Sequence, residues 1–95
     1  MIEVKRLTGA DPMRFDVTVR DGGSLSRHEV ALAQKTWAKL TKKSRSPENC
    51  VEAAFGFLLD REPKEAILSR FDITVIGHYF PEFELQLPKY LGRVG

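Results

Sequence analysis

The sequence is poor in the residues that most often assemble chemistry: one cysteine, two histidines and one tryptophan among 95 residues. A lone cysteine excludes an intramolecular disulfide and a cysteine-rich zinc knuckle, and two histidines leave any zinc site dependent on an unusual carboxylate set. No stretch approaches the ~20 apolar residues that cross a bilayer. The opening Met1-Ile2-Glu3-Val4-Lys5-Arg6 has no apolar run that would serve as a signal peptide. A cytoplasmic protein that does not enter membranes is expected. With 7 glycines and 5 prolines the chain is not low-complexity, and at 42% hydrophobic it is too apolar for wholesale disorder. Its length suits one domain burying about 60–65% of the unfolded surface, read here as residues 1–91 with a frayed tail at 92–95.

What is present is unevenly charged. The formal net charge is +2, yet residues 1–46 hold ten basic against five acidic residues and residues 47–95 hold five against eight. The surplus lies in Lys35, Lys39, Lys42, Lys43 and Arg45, within eleven residues that contain no acid. A basic stripe of this kind attracts a phosphate backbone or an acidic partner surface, and is equally the solvated face of an amphipathic helix. These five are the candidate residues for binding nucleic acid or an acidic partner.

Hydrophobic period then assigns the elements. Met1 to Leu7 alternates weakly and reads as a short edge strand. Phe15, Val17 and Val19 alternate with Asp16, Thr18 and Arg20, the period of two of a half-buried strand. Asp21-Gly22-Gly23 supplies residues that accept positive φ, as a tight hairpin turn requires. If Gly22-Gly23 is a two-residue loop, Phe15 opposes Val30, Val17 opposes His28, Val19 opposes Ser26 and Met13 reaches Leu32, so the apolar residues share one face. A three-residue loop would set Phe15 against Glu29 unless a bulge repaired the register. The shorter loop is favoured.

The rest reads as helical. Ala33 to about Lys43 carries Ala33, Trp37 and Leu40 on one side and lysines on the other, with Trp37 assigned to packing. Ser46-Pro47-Glu48-Asn49 is a helix start, with Ser46 as N-cap and Pro47 in the first turn. The helix it opens runs to about Asp60 and is apolar almost all round, which predicts the central, most buried helix. Gly56 within it sacrifices about 1 kcal/mol relative to Ala, implying a close neighbour, expected to be the hairpin. After Glu62-Pro63 a short helix is expected over Lys64 to Phe71, with Ile67, Leu68 and Phe71 inward. Asp72 then caps another, running until Pro81. The segment from Pro81 to Pro88 fits a strand or a helical turn, the helix slightly favoured.

Chemistry-bearing side chains are few and scattered. Cys50 lies in the first turn of a helix, flanked by Glu48 and Glu52, with no histidine near to act as base. His28 falls on the apolar face of the hairpin, where a hydrogen-bonded core histidine is expected. His78 and Glu82 have the four-residue spacing of paired metal ligands, but Pro81 interrupts them. Gly22-Gly23 lacks the strand–loop–helix context of a phosphate cradle. No catalytic, cofactor-binding or metal constellation emerges, so a non-enzymatic protein with no cofactor is expected and no small-molecule substrate is inferred.

Two family resemblances add to this. The segment from Leu58-Leu59-Asp60-Arg61-Glu62-Pro63-Lys64-Glu65-Ala66-Ile67-Leu68 through Phe71-Asp72 and Tyr79-Phe80-Pro81-Glu82-Phe83 resembles a family of small bacterial proteins with no assigned function. That covers about a third of the chain and implies a shared fold, with no catalytic residues to carry over. Residues 28–60 resemble the ribbon-helix-helix DNA-binding family in their order of strand, helix, turn and longer helix. That resemblance implies a dimer whose paired strands enter the major groove, with Arg27, Glu29 and Ala31 outward and Ser46, Pro47 and Glu48 at a phosphate. The sequence departs from that pattern in giving the strand a hairpin partner within the same chain.

The expectation is therefore an α+β domain in which a β-hairpin, or a three-stranded antiparallel sheet, is followed by three to four helices with helix 47–60 central. Free sheet edges favour self-association or a protein partner. Nucleic-acid binding through the basic stripe is the alternative.

Overall fold

The protein, in a computed structural model, is described over residues 1–94. Its strands are β1 (Ile2–Thr8), β2 (Met13–Asp21), β3 (Ser24–Leu32) and β4 (Arg70–Asp72), and its helices α1 (Gln34–Thr41), α2 (Pro47–Leu59), α3 (Val75–Tyr79) and α4 (Phe83–Leu91). The class is α+β, with four strands in the order β1-β2-β3-β4.

The hairpin follows directly from its alternation. Gly22 and Gly23 have φ of 60° and 82°, the left-handed region a two-residue loop demands. The register is Met13 on Leu32, Phe15 on Val30, Val17 on His28 and Val19 on Ser26, as the two-residue loop predicts. Phe15, Val17, Val19, Val30 and Leu32 are buried on one face. The opposite face carries Arg14, Asp16, Arg20 and Arg27. β1 adds antiparallel to β2, with Ile2 on Val19 and Val4 on Val17, until a register shift leaves Leu7 as an extra residue between Arg6 and Thr8.

Against the apolar face lies α2, with Cys50, Val51, Ala53, Ala54, Phe55, Phe57 and Leu58 all buried. The Ser46 side chain accepts the Asn49 backbone N–H at 3.0 Å, which satisfies one of the free donors of the first turn. α4 packs behind α2, its Phe83, Leu87, Tyr90 and Leu91 forming one buried stripe. Phe57 is the hinge of that contact, with edge-on rings of Phe83 at 5.1 Å and Tyr90 at 5.7 Å. The segment that fitted either strand or helix is thus helical from Phe83, because only helical spacing turns these four residues toward α2. α1 is shorter than expected at its C-terminal end, since Lys42 and Lys43 take left-handed φ of 52° and 60° and stop it. Trp37 packs half-buried against the core, and its indole N–H donates to the Arg45 carbonyl at 2.8 Å.

Several expectations require correction. Lys64 to Phe71 is not a helix: Lys64–Ala66 makes one 3₁₀ turn, and β4 then pairs parallel with β3, Glu29 on Arg70, Val30 on Phe71 and Ala31 on Asp72. β3 needed a partner on its second edge, and two long-range bonds supply it, from Glu29 N–H to Ser69 O at 2.8 Å and from Ile73 N–H to Ala31 O at 3.0 Å. That tertiary pairing outweighs the weak local preference for helix. The sheet is consequently four-stranded and mixed rather than two- or three-stranded and antiparallel. Leu68, expected inward, is 48% exposed.

A further correction concerns Gly56. Its near neighbour is not the hairpin but the Tyr90 ring of α4, whose Cδ2 would lie 3.5 Å from an added Cβ. Asp72 also differs in detail: its Oδ1 accepts from the backbone N–H and hydroxyl of Thr74, at 2.9 and 2.7 Å, so it organises the turn before α3 rather than the helix itself. In the tail expected to fray, Val94 packs partly buried against the core, while Gly95 lies outside the described residues.

Candidate functional site: an apolar groove beside β4

Where a helix was expected over Lys64 to Phe71, the 3₁₀ turn and β4 border an apolar groove. Leu58 of α2 forms its floor, with Phe71 of β4 and Phe80 after α3; Leu68 and Tyr79 stand on its rim. Its volume is about 210 Å³, and among the described residues Glu62 is the one charged residue in its lining. No ion pair engages Glu62 among the described residues. Pro63, Asp72 and Pro81 divide the chain here into pieces too short to bury every apolar side chain they carry. Tyr79, on the five-residue α3, is 68% exposed.

The walls are tied to the core. Phe71 meets Phe55 at 5.9 Å between ring centroids, and Phe80 meets Phe57 edge-on at 5.8 Å. The rim at Leu68 is held by a histidine from the hairpin. His28 is buried, with Nδ1 2.7 Å from the Leu68 carbonyl oxygen and Nε2 2.8 Å from Ser26 Oγ. A carbonyl only accepts, so Nδ1 carries a proton and donates; in the neutral ring Nε2 accepts from the Ser26 hydroxyl. His28 is thereby fully engaged in positioning the chain at Leu68. It is the hydrogen-bonded core histidine that its place on the hairpin predicts.

The other sequence candidates do not converge. Cys50 is buried, and burial pushes its thiol up to about 12, so it stays protonated at neutral pH. His78 is exposed, while Glu82 bonds Arg61 at 3.2 Å. A backbone hydrogen bond, followed by Arg61, holds the Glu82 carboxyl below its ordinary range. No group of three or more histidine, cysteine or acidic residues among the described residues could hold a metal ion.

The five basic candidates are divided by the tertiary structure. Lys39 reaches Glu84 of α4 at 3.2 Å. Arg45 is half-buried and donates from Nη1 to the Val94 carbonyl at 3.1 Å. Lys35, Lys42 and Lys43 are exposed and make no salt bridge among the described residues. Of the positions matched to the ribbon-helix-helix pattern, Glu29 lies within ion-pair distance of Arg14 at 3.9 Å and Arg70 at 3.7 Å, and Glu48 is engaged by Arg6. β3, which carries Arg27, Glu29 and Ala31, is paired on both edges, by β2 and β4.

The groove was not legible as a site because its residues read as the inward stripe of a helix. The signal available was arithmetic: too many large apolar residues for the short elements between Pro63, Asp72 and Pro81. No helix among the described residues is long and apolar enough to cross a membrane. No family model matches the chain, and neither a curated protein nor a solved structure matches it.

Proposed function

We propose that this protein is a binding module rather than an enzyme, and that the groove beside β4 receives an apolar segment of a protein partner. The observation that carries this reading is the pairing of a formed apolar cleft with two large exposed side chains, Leu68 and Tyr79, at its rim. A cleft of about 210 Å³ is smaller than the ~300–1,000 Å³ of sites that enclose whole small molecules. It suits the anchoring side chains of a peptide, the pattern of a hot spot. Glu62, without a salt bridge among the described residues, favours a basic residue beside those anchors. The partner is thus a segment with apolar anchors and an adjacent lysine or arginine.

Selection of a random linear-peptide phage library on the protein tests this. Enriched peptides are expected to combine large apolar residues with a basic one, and to lose binding to Tyr79→Ala and Glu62→Lys. Peptides that bind both variants as well as the parent, or no enrichment, would overturn the reading.

A second reading, binding of nucleic acid by the α1 region, is supported by Lys35, Lys42 and Lys43, which project without salt bridges among the described residues. It requires duplex or single-strand affinity that falls steeply with salt, and a flatter salt slope for Lys42→Ala with Lys43→Ala. Absence of binding at low salt removes it.

A further inference from the structure

Among the described residues β1 is an outer strand of the sheet, paired with β2 on one side only. The phase of its ladder follows from its first residue. The Met1 nitrogen donates to Arg20 O at 2.8 Å and Arg20 N–H donates to Met1 O at 2.8 Å, so this is a hydrogen-bonded pair. In an antiparallel ladder such pairs alternate with non-bonded ones. Glu3 and Lys5 therefore direct their peptide groups toward β2, whereas Ile2, Val4 and Arg6 direct theirs away from the sheet. Those outward groups form a template for another strand.

Which strand fits is written in the side chains. Two copies of β1, antiparallel about a twofold axis at Val4, would set Ile2 opposite Arg6, Glu3 opposite Lys5 and Val4 opposite Val4. Every residue with an outward peptide group meets another with one, so Val4 and the Ile2–Arg6 pairs each exchange both hydrogen bonds. Glu3 of each copy, which also accepts from Arg20 Nε of its own chain at 3.1 Å, meets the oppositely charged Lys5 of the other. Met1 and Leu7, 77% and 51% exposed at the two ends of the strand, are brought toward each other across the joint. Moving the axis one residue, to Glu3 or to Lys5, still lets outward groups meet, Ile2 with Val4 or Val4 with Arg6, but it sets Glu3 opposite Glu3 or Lys5 opposite Lys5. Charge thus selects one register.

We propose that β1 is a self-association edge, through which two copies of this chain join their sheets antiparallel with Val4 at the twofold axis. The partner is a second copy because the strand is complementary to its own reverse in charge and in hydrogen-bond phase. A lysine in an edge strand and a bulge beside it ordinarily discourage indiscriminate pairing. Here Lys5 excludes the competing register, and the bulge at Leu7 ends the paired stretch after Arg6. The proposal is independent of the groove beside β4.

Sedimentation equilibrium over a concentration series tests it by charge exchange. The parent chain is expected to dimerise with rising concentration. Lys5→Glu sets Glu3 against the new acid, and Glu3→Lys sets the new base against Lys5, so each variant alone should self-associate at least about tenfold more weakly. An equal mixture of the two variants restores every opposite-charge pair and should form a heterodimer, which also shows that each variant is folded. A parent chain monomeric at millimolar concentration, or a dimer that neither variant weakens, would overturn the proposal.

Discussion

His28 and Leu68 lie forty residues apart and meet side chain to backbone, with Nδ1 2.7 Å from the carbonyl oxygen. The bond joins the hairpin to the chain entering β4 and sets the height of the groove's rim. Replacing His28 with Leu keeps the bulk roughly constant but leaves the Leu68 carbonyl and the Ser26 hydroxyl without that partner. An unmade buried hydrogen bond costs about 1–3 kcal/mol. Urea unfolding of His28→Leu should show a loss of that size; an unchanged midpoint would mean that water replaces the ring without penalty.

Gly56 gives the opposite sign. It lies within α2, and an added Cβ would meet Tyr90 at ordinary van der Waals distance. Gly56→Ala should therefore gain most of the helix-propensity difference, about 0.5–1 kcal/mol. Thermal unfolding measures it. A loss of stability would show that the α2–α4 contact has no room for a methyl group.

Arg6 clasps Glu48 with two bonds, Nε to Oε2 at 2.8 Å and Nη2 to Oε1 at 2.7 Å, tying β1 to the first turn of α2. The Arg6 hydrogen bond is the main cause holding the Glu48 carboxyl below its ordinary 4.5. A carboxyl with a lowered value in the folded state contributes stability above its unfolded value and loses it as pH falls through the folded one. Both side chains are more than a third exposed, so solvent screening limits the contribution to about 0.5–1 kcal/mol. The stability difference between the parent and Glu48→Gln should be present at neutral pH and shrink on acidification below about 4.5. A difference that does not change with pH would assign the effect of the substitution to something other than the ion pair.

Cys50 should be inert to a soluble disulfide reagent in the folded protein, because burial both hides it and keeps it protonated. Adding urea past the unfolding midpoint should release one reactive thiol. Full labelling within minutes in buffer alone would contradict the packing of α2 on the sheet.

How far a sequence pattern can be trusted here depends on whether its partner is nearby in the chain. The two-residue turn at Gly22-Gly23 dictates every pair from Met13–Leu32 inward, because a slip by one residue would turn Phe15 and Val17 to solvent. Ser46-Pro47 starts α2 by a bond that spans only three residues. The basic residues at 35–45 were equally legible, yet not their fates, since Glu84 and the Val94 carbonyl reach Lys39 and Arg45 from the far end of the chain.

By itself, then, the sequence determined the α+β class, the hairpin and its register, and the central helix, all through short-range periodicity, turn chemistry and capping. The tertiary structure alone decided that residues 70–72 are a strand, that α4 rather than the hairpin covers Gly56, and that Leu68 and Tyr79 stand at a groove. Those outcomes depend on which element can reach β3's second edge and α2's outer face. Competition among distant segments for the same backbone groups and the same apolar surface is a property of the whole folded chain, and no local window of sequence contains it.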